Sequence, residues 1–362
     1  MHLLIALSAH GFGHYAQVAP VVNHLLKRMP RLQLTFRTTL PAGVIAARIQ
    51  HPFAVQAVAD DFGMLMHNAI DVDVAASLER YRLFHDDWPR LLESATTALK
   101  TAKPDLVLAD APYLTLSAAE RAGIPAVALC SLNWADVLDW YADTLTRTNI
   151  IPRICESYAS AQCFMQATPS MAMPLLQAAG VGLRPVGALG SPGAAQPEIL
   201  RKRLGLADTV ALVLVGMGGM PFSVSMRDWP KEAGGRSVHY LLAAGWESPG
   251  AHASCLGDLP FDYSDIMASV DLIITKPGYG MFVEAVAAGV PLIYVARDDW
   301  PDTVSLENWI TRHGRARKVS RQELAAGCLA EPMLELLQQG GSQPVLPSGH
   351  VEVAALLEDM LR

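Results

Sequence analysis

The chain has 362 residues, too many for one ordinary domain, so two domains with separate cores are expected. It is 51% hydrophobic and 17% charged, a balance that suits strands buried on both faces of a parallel sheet. Its net charge of −7, with no lysine- or arginine-rich run, excludes nucleic acid as the main partner, and its 5 cysteines, odd in number and without a CxxC pair, argue against a disulfide framework or zinc knuckle and for a reducing cytosol.

The apolar start runs straight into a glycine loop and has no basic flank, so residues 3–7 are expected to form the first strand rather than a targeting segment. A helical pattern follows through Val18, Val21, Val22, Leu25 and Leu26. Strands are expected over 32–36 and 106–109, then a helix over 116–122, the turn Gly123-Ile124-Pro125 and a strand over 126–129. Strand–helix alternation with short connections predicts a doubly wound parallel sheet. The stretch 186–197 is small, glycine- and proline-rich and nearly uncharged. It is expected to link an N-terminal domain, 1–185, to a C-terminal one, 198–345. Beyond it the pattern restarts, with strands over 210–215, 238–243, 271–275 and 291–295 and a helix over 282–288 closed by Gly289. The stretch 223–235 is a poor helix, and 351–361 is an amphipathic tail helix. No apolar run of about 18 residues occurs, so no transmembrane segment is expected. The expected fold class is α/β, with two Rossmann-like parallel sheets facing across a cleft and a ligand site at the strand ends of each.

The residues with chemistry sit at those strand ends. In His10-Gly11-Phe12-Gly13-His14, Gly11 and Gly13 allow a tight turn close to a ligand. The imidazole of His14, at the helix start, suits proton removal from a hydroxyl. A plain turn with His14 as a helix cap is the alternative. Asp110 ends the 106–109 strand on the same side, where its carboxylate can fix one nitrogen of His14 or cap the next helix. In the block 276–291, Gly278 and Gly280 free N–H groups for phosphate oxygens, and Lys276 adds charge. Glu284, one turn into the helix, can accept both hydroxyls of a ribose. Gly216-Met217-Gly218-Gly219 resembles a second phosphate-type turn, with a plain helix start as the alternative. Arg297-Asp298-Asp299-Trp300 puts charge and an aromatic ring at a strand end, as sugar hydroxyls require, or forms a solvated loop.

Together these motifs resemble GT-B fold glycosyltransferases, with a layout similar to the UDP-glycosyltransferases and the peptidoglycan lipid-intermediate GlcNAc transferase. More narrowly, 10–14, 131–140 (with Asn133-Trp134), 276–291 and 297–301 resemble the glycosyltransferase-like domain of plant L-arabinokinases and its free-standing bacterial relatives. The resemblance implies a metal-independent, inverting transferase. It would move a sugar from a nucleotide-sugar, a UDP-sugar foremost, to an acceptor hydroxyl, with no cofactor. By the same resemblance His14 is the base, Asp110 its acid partner and Glu284 the ribose acid, while Gly218, Gly219, Gly278, Tyr279 and Gly280 line the pyrophosphate. Gly11, Gly13, Lys276, Arg297, Asp298 and Asp299 complete the expected donor site. Residues 259–264 are expected beside the nucleotide base, and 346–362 to pack back toward the N-terminal domain. Two departures stand out. Ala16-Gln17 replaces a Thr-Arg pair, and Asp298-Asp299 occupies the region of an Asp/Glu-Gln pair. The acceptor, whether small molecule, lipid or glycan, is expected between 59–88 and 133–153. The expected location is cytoplasmic, with peripheral membrane contact open. A nucleotide-sugar epimerase of the same fold and a non-catalytic nucleotide-sugar- or glycan-binding protein are the alternatives.

Overall fold

The computed structural model describes residues 1–219, 222, 224–243, 246 and 250–362. Apolar runs in the first lobe form seven strands: β1 His2–Leu7, β2 Gln33–Arg37, β3 Ala54–Gln56, β4 Leu106–Asp110, β5 Ala126–Cys130, β6 Phe164–Thr168 and β7 Leu183–Ala188. They join in one parallel sheet of order β3-β2-β1-β4-β5-β6-β7. β1 and β4 are almost wholly apolar because helices cover both faces of the sheet.

The second lobe repeats the plan with β8 Ala211–Gly216, β9 Glu232–Ala233, β10 Arg236–Leu242, β11 Ala253–Cys255, β12 Leu272–Thr275, β13 Leu292–Val295 and β14 Ala316–Val319. Its parallel order is β11-β10-β8-β12-β13-β14, with β9 antiparallel to β10. Ser223, where the expected poor helix begins, lies outside the described residues. From 224 to 235 the described chain has no helix and only the short β9.

The lobe boundary falls slightly later than expected. β7 runs to Ala188 and takes the first residues of the expected linker into the first sheet, because Val186 and Ala188 pair with β6. The tail helix Gly349–Leu361 belongs to the first lobe by packing. It lies on the helix Gly13–Arg28 and on β7, with Val353, Ala354 and Leu357 fully buried. Arg28 pairs with Glu358 across this contact. Among the described residues no helix is long and apolar enough to cross a membrane.

In each sheet the order reverses between two adjacent strands, β1/β4 in the first and β8/β12 in the second. A crevice opens at the carboxyl ends of such a pair. The two crevices face each other, so the loops after β1, β4, β8 and β12 meet.

Candidate functional site

Register brings the first pair of residues together. Leu7 of β1 lies opposite Asp110 of β4, so the loop leaving β1 returns over the end of β4. Gly11 takes φ +79°, a left-handed turn that a side chain would resist, and the helix Gly13–Arg28 starts at once. Its first turn sets His14 Nδ1 2.8 Å from Asp110 Oδ1, with both side chains buried. Burial works against a charged His14. The hydrogen bond and charge of Asp110, with Asp61 and Asp302 behind it, outweigh that, so the imidazole titrates above its ordinary value. Burial pushes Asp110 upward as well, and His14 pulls it back. With Nδ1 held by the carboxylate, Nε2 is the nitrogen left for chemistry.

Cys130 Sγ lies 3.6 Å from His14 Nδ1, and one ligand atom from each of His14, Asp110 and Cys130 lies within 4.8 Å of the others, a spacing that can enclose a cation. These atoms already serve one another, and burial beside Asp110 raises the thiol well above its usual range.

The second lobe covers this dyad. The ring of Phe12 packs on Gly219, and the stem of Lys276 lies beside Gly218, itself at φ +79°. Burial and the nearby Arg297 lower Lys276 to about 7, while Asp302 opposes them. Arg297 is buried, sits 4.1 Å from the Trp300 ring centroid and donates from Nε to the Ile70 carbonyl at 3.1 Å. On the other side His10 stacks parallel to Trp300 at 5.6 Å and meets Trp134 edge-on at 5.4 Å. His10 Nε2, Asp110 Oδ2, Asp302 Oδ1 and Thr303 Oγ1 are buried polar atoms without a hydrogen-bond partner. Unpaired buried groups are costly, and a hydroxyl-rich ligand would satisfy groups such as these.

The remaining expected donor residues divide. Gly278 caps the helix Tyr279–Ala288, and Gly280 packs so closely on the first-lobe helix that an added Cβ would fall 2.9 Å from Ala16 Cβ. Tyr279 is held structurally. Its hydroxyl accepts from the Leu189 N–H and donates to the Thr168 carbonyl, each at 2.8 Å, and so is engaged by backbone of the first lobe and the passage that leaves it. Glu284 is buried and bound by both guanidinium nitrogens of Arg48. The Asp298 side chain is 82% exposed and pairs with Lys318 at 3.3 Å. Asp299 lies at the lobe interface, with its carbonyl accepting from the Tyr141 hydroxyl. The expected position of 259–264 places Tyr263 against Gly216 and Met281.

Several cleft residues carry no sequence signal strong enough to name them. Asp302 is buried next to His14, Lys276 and Arg297, and desolvation lifts it to about 6. Asp61 accepts from Trp134 Nε1 at 2.6 Å and is also lifted by burial to about 6. This bond ties together the two segments expected to hold the acceptor. Gln17, a departure from the relatives' pattern, accepts from the Ser131 N–H at 2.9 Å, and so fixes the loop after β5. The Asp71-Val72-Asp73 triplet has the spacing of a cation-binding pair but is spent on structure. Asp71 pairs with Arg321 and Asn68, and Asp73 caps the helix Val74–Asp86.

No family model matches the chain. An L-arabinokinase of Arabidopsis thaliana is 28% identical over 342 residues, which cover 90% of this chain and 31% of that protein. The chain therefore spans less than a third of that relative's length. Among solved structures, UGT89C1 of Arabidopsis thaliana complexed with UDP superposes with a TM-score of 0.60 at 13% identity, covering 100% of both chains. MurG of Acinetobacter baumannii gives 0.52 at 15% identity over 99% of each chain. The glycosyltransferase VinC in complex with dTDP gives 0.52 at 14% identity, covering 100% of this chain and 95% of that one. The architecture is thus that of the GT-B fold, with two Rossmann-like lobes facing across a cleft.

Proposed function

We propose that the chain is an inverting glycosyltransferase. It transfers a sugar from a nucleotide-sugar, a UDP-sugar foremost, to the hydroxyl of a small-molecule acceptor, with no resident metal or cofactor. The observation that carries this reading is the buried His14–Asp110 pair, set at 2.8 Å under the glycine loops of the opposite lobe. His14 Nε2 takes the acceptor proton while the acceptor oxygen attacks the anomeric carbon. The bond from that carbon to the diphosphate breaks, and its electron pair leaves on the phosphate oxygen. Asp110 keeps Nδ1 protonated and stabilises the imidazolium that forms. In this reading the departing charge meets Lys276, Arg297 and the N–H groups at the start of the helix Tyr279–Ala288, all of them positive or partly positive groups. These groups are the support for a metal-free departure.

Thermal shift against UDP-, GDP- and dTDP-sugars, with and without magnesium, tests the donor side. One nucleotide should stabilise the protein without metal, and Glu284→Ala should abolish that shift. His14→Ala should bind the same nucleotide while cutting its release from the donor, measured with water as acceptor, by roughly 100-fold or more. Loss of nucleotide binding in His14→Ala, or full activity in it, would contradict the role given to His14.

A second reading has its own support. His10, His14, Asp61 and Asp110 crowd the first-lobe side of the cleft, and Asp61 and Asp302 are acids lifted to about 6. Such groups suit proton transfers on a single bound nucleotide-sugar, as in an epimerase of this fold. Incubation with donor alone distinguishes the two, because epimerisation proceeds without an acceptor and leaves the nucleotide bonded to the sugar.

A further inference from the structure

We propose that Arg48 gates the donor site: in the nucleotide-free molecule its guanidinium occupies the carboxylate of Glu284, and a nucleotide enters by displacing it. This rests on the reading of Glu284 as the ribose acid. Arg48 Nη1 lies 2.6 Å from Oε1 and Nη2 3.1 Å from Oε2, so one planar fork takes both oxygens. A ribose diol would need the same two oxygens. The Glu284 side chain is only 4% exposed, so no open face remains on which a diol could bind beside the arginine.

The two partners belong to different lobes, and the first lobe presents Arg48 from a fixed platform. Arg48 ends the helix Ala42–Arg48, its carbonyl accepts from Asn23 Nδ2 at 2.8 Å, and the Ile45 carbonyl one turn earlier accepts from the Tyr15 hydroxyl. The Arg48 side chain is 24% exposed and has a way out to solvent, whereas Glu284 has none. Exchange therefore moves the arginine and leaves the carboxylate in place. An incoming nucleotide must break a charge-assisted pair before it can make its own bonds to Glu284, and its apparent affinity falls by that cost. Without Arg48, the empty protein holds a buried carboxylate with no counter-charge, which is unfavourable until a diol satisfies it. Removing the arginine should thus weaken the empty protein and tighten nucleotide binding.

The test is isothermal titration of UDP, GDP and dTDP into the wild type, Arg48→Ala and Arg48→Lys, with hydrogen exchange of the wild type with and without the tightest binder. Arg48→Ala should bind that nucleotide at least about fivefold more tightly, the scale of a partly exposed ion pair, with Arg48→Lys between it and the wild type. In the wild type the nucleotide should raise exchange in Ala42–Arg48 and lower it in Tyr279–Ala288. Equal or weaker binding by Arg48→Ala, where the wild type binds measurably, overturns the gate and leaves the donor site standing. No binding of any nucleotide to any of the proteins sinks the donor-site reading, and the gate with it. If Arg48→Ala does not fold, unchanged affinity in Arg48→Lys overturns the gate in the same way.

Discussion

Asp61 shows how a single residue in this cleft trades stability for chemistry. Burial holds its carboxyl at about 6 against a usual 3.8, with His14, Trp134 and Ser8 pulling the other way. The folded chain therefore holds this proton more tightly than the unfolded one. The cost of ionising Asp61 is absent below about 4, and complete above about 6. Asp61→Asn keeps an acceptor for Trp134 Nε1 and removes that cost. It should raise stability by about 1–3 kcal/mol at pH 8 and leave it nearly unchanged near pH 4. Denaturant melts at the two pH values check this, and an equal gain at both would place its origin outside the charge. Legibility at this scale followed position. His14 and Asp110 could be paired from sequence because Asp110 ends one apolar strand, His14 opens the helix that follows another, and the ends of neighbouring parallel strands meet. Asp61 and Asp302 lie in irregular chain, where no period fixes direction, and only the closed cleft reveals them as buried. The exposed Asp298 and the buried Asp302 illustrate the complementary limit: a strand end says which edge a loop occupies, but not which of its side chains turns inward.

Among elements, the helices Gly13–Arg28 and Tyr279–Ala288 pack closely between the lobes, and glycine makes it possible. A Cβ at Gly280 would stand 2.9 Å from Ala16 Cβ, closer than real Cβ atoms approach, so something must shift. Alanine in place of a helical glycine ordinarily gains up to about 1 kcal/mol, but overpacking costs about 1–3 kcal/mol, so the clash should win. Gly280→Ala is expected to lower the melting temperature by a few degrees. Adding Ala16→Gly should restore most of the loss, since the missing methyl is merely moved across the interface. Calorimetry of the two single variants and the double one decides it, and purely additive effects would show that the helices do not press on each other. The same contact gives a physical reason for the departure at position 16: a threonine there would put further atoms against Gly280. Elements with continuous apolar runs, such as β1, β4, β8, β12 and β13, were readable from sequence. β3, β6, β7, β9, β11 and β14 were not. They lie toward the sheet edges, are short or mixed in polarity, and gain their strand form from a neighbour's hydrogen bonds.

For the whole molecule, two successive strand–helix patterns made the pair of facing sheets legible, because parallel strands joined by short helical crossovers leave few alternatives. The placement of the tail helix on the first lobe was expected from the resemblance alone, since amphipathicity says that a face is buried but not against which lobe. Leu357 is fully buried on the first lobe although it lies near the opposite end of the chain. Leu357→Ala should cost about 2–4 kcal/mol. Hydrogen exchange should rise in Gly13–Arg28 and leave Tyr279–Ala288 protected; a rise confined to the second lobe would show that the tail stabilises the wrong partner for this account.

The tail has a mechanical consequence too. The chain passes between the lobes twice, once after β7 and once before the tail helix, and the two passages touch, for a Cβ on Gly190 would fall 3.5 Å from Pro347 Cγ. Two strands side by side act as a hinge pin rather than a tether: they permit swinging and resist sliding or twisting apart. The Tyr279 hydroxyl, bound to both Leu189 and Thr168, lies by this pin and would travel little as the lobes swing. Contacts at the rim, such as Asp71–Arg321, would travel furthest and part first. Lobes hung this way, if they swing, would bring His14 back to the same alignment over the opposite glycine loops.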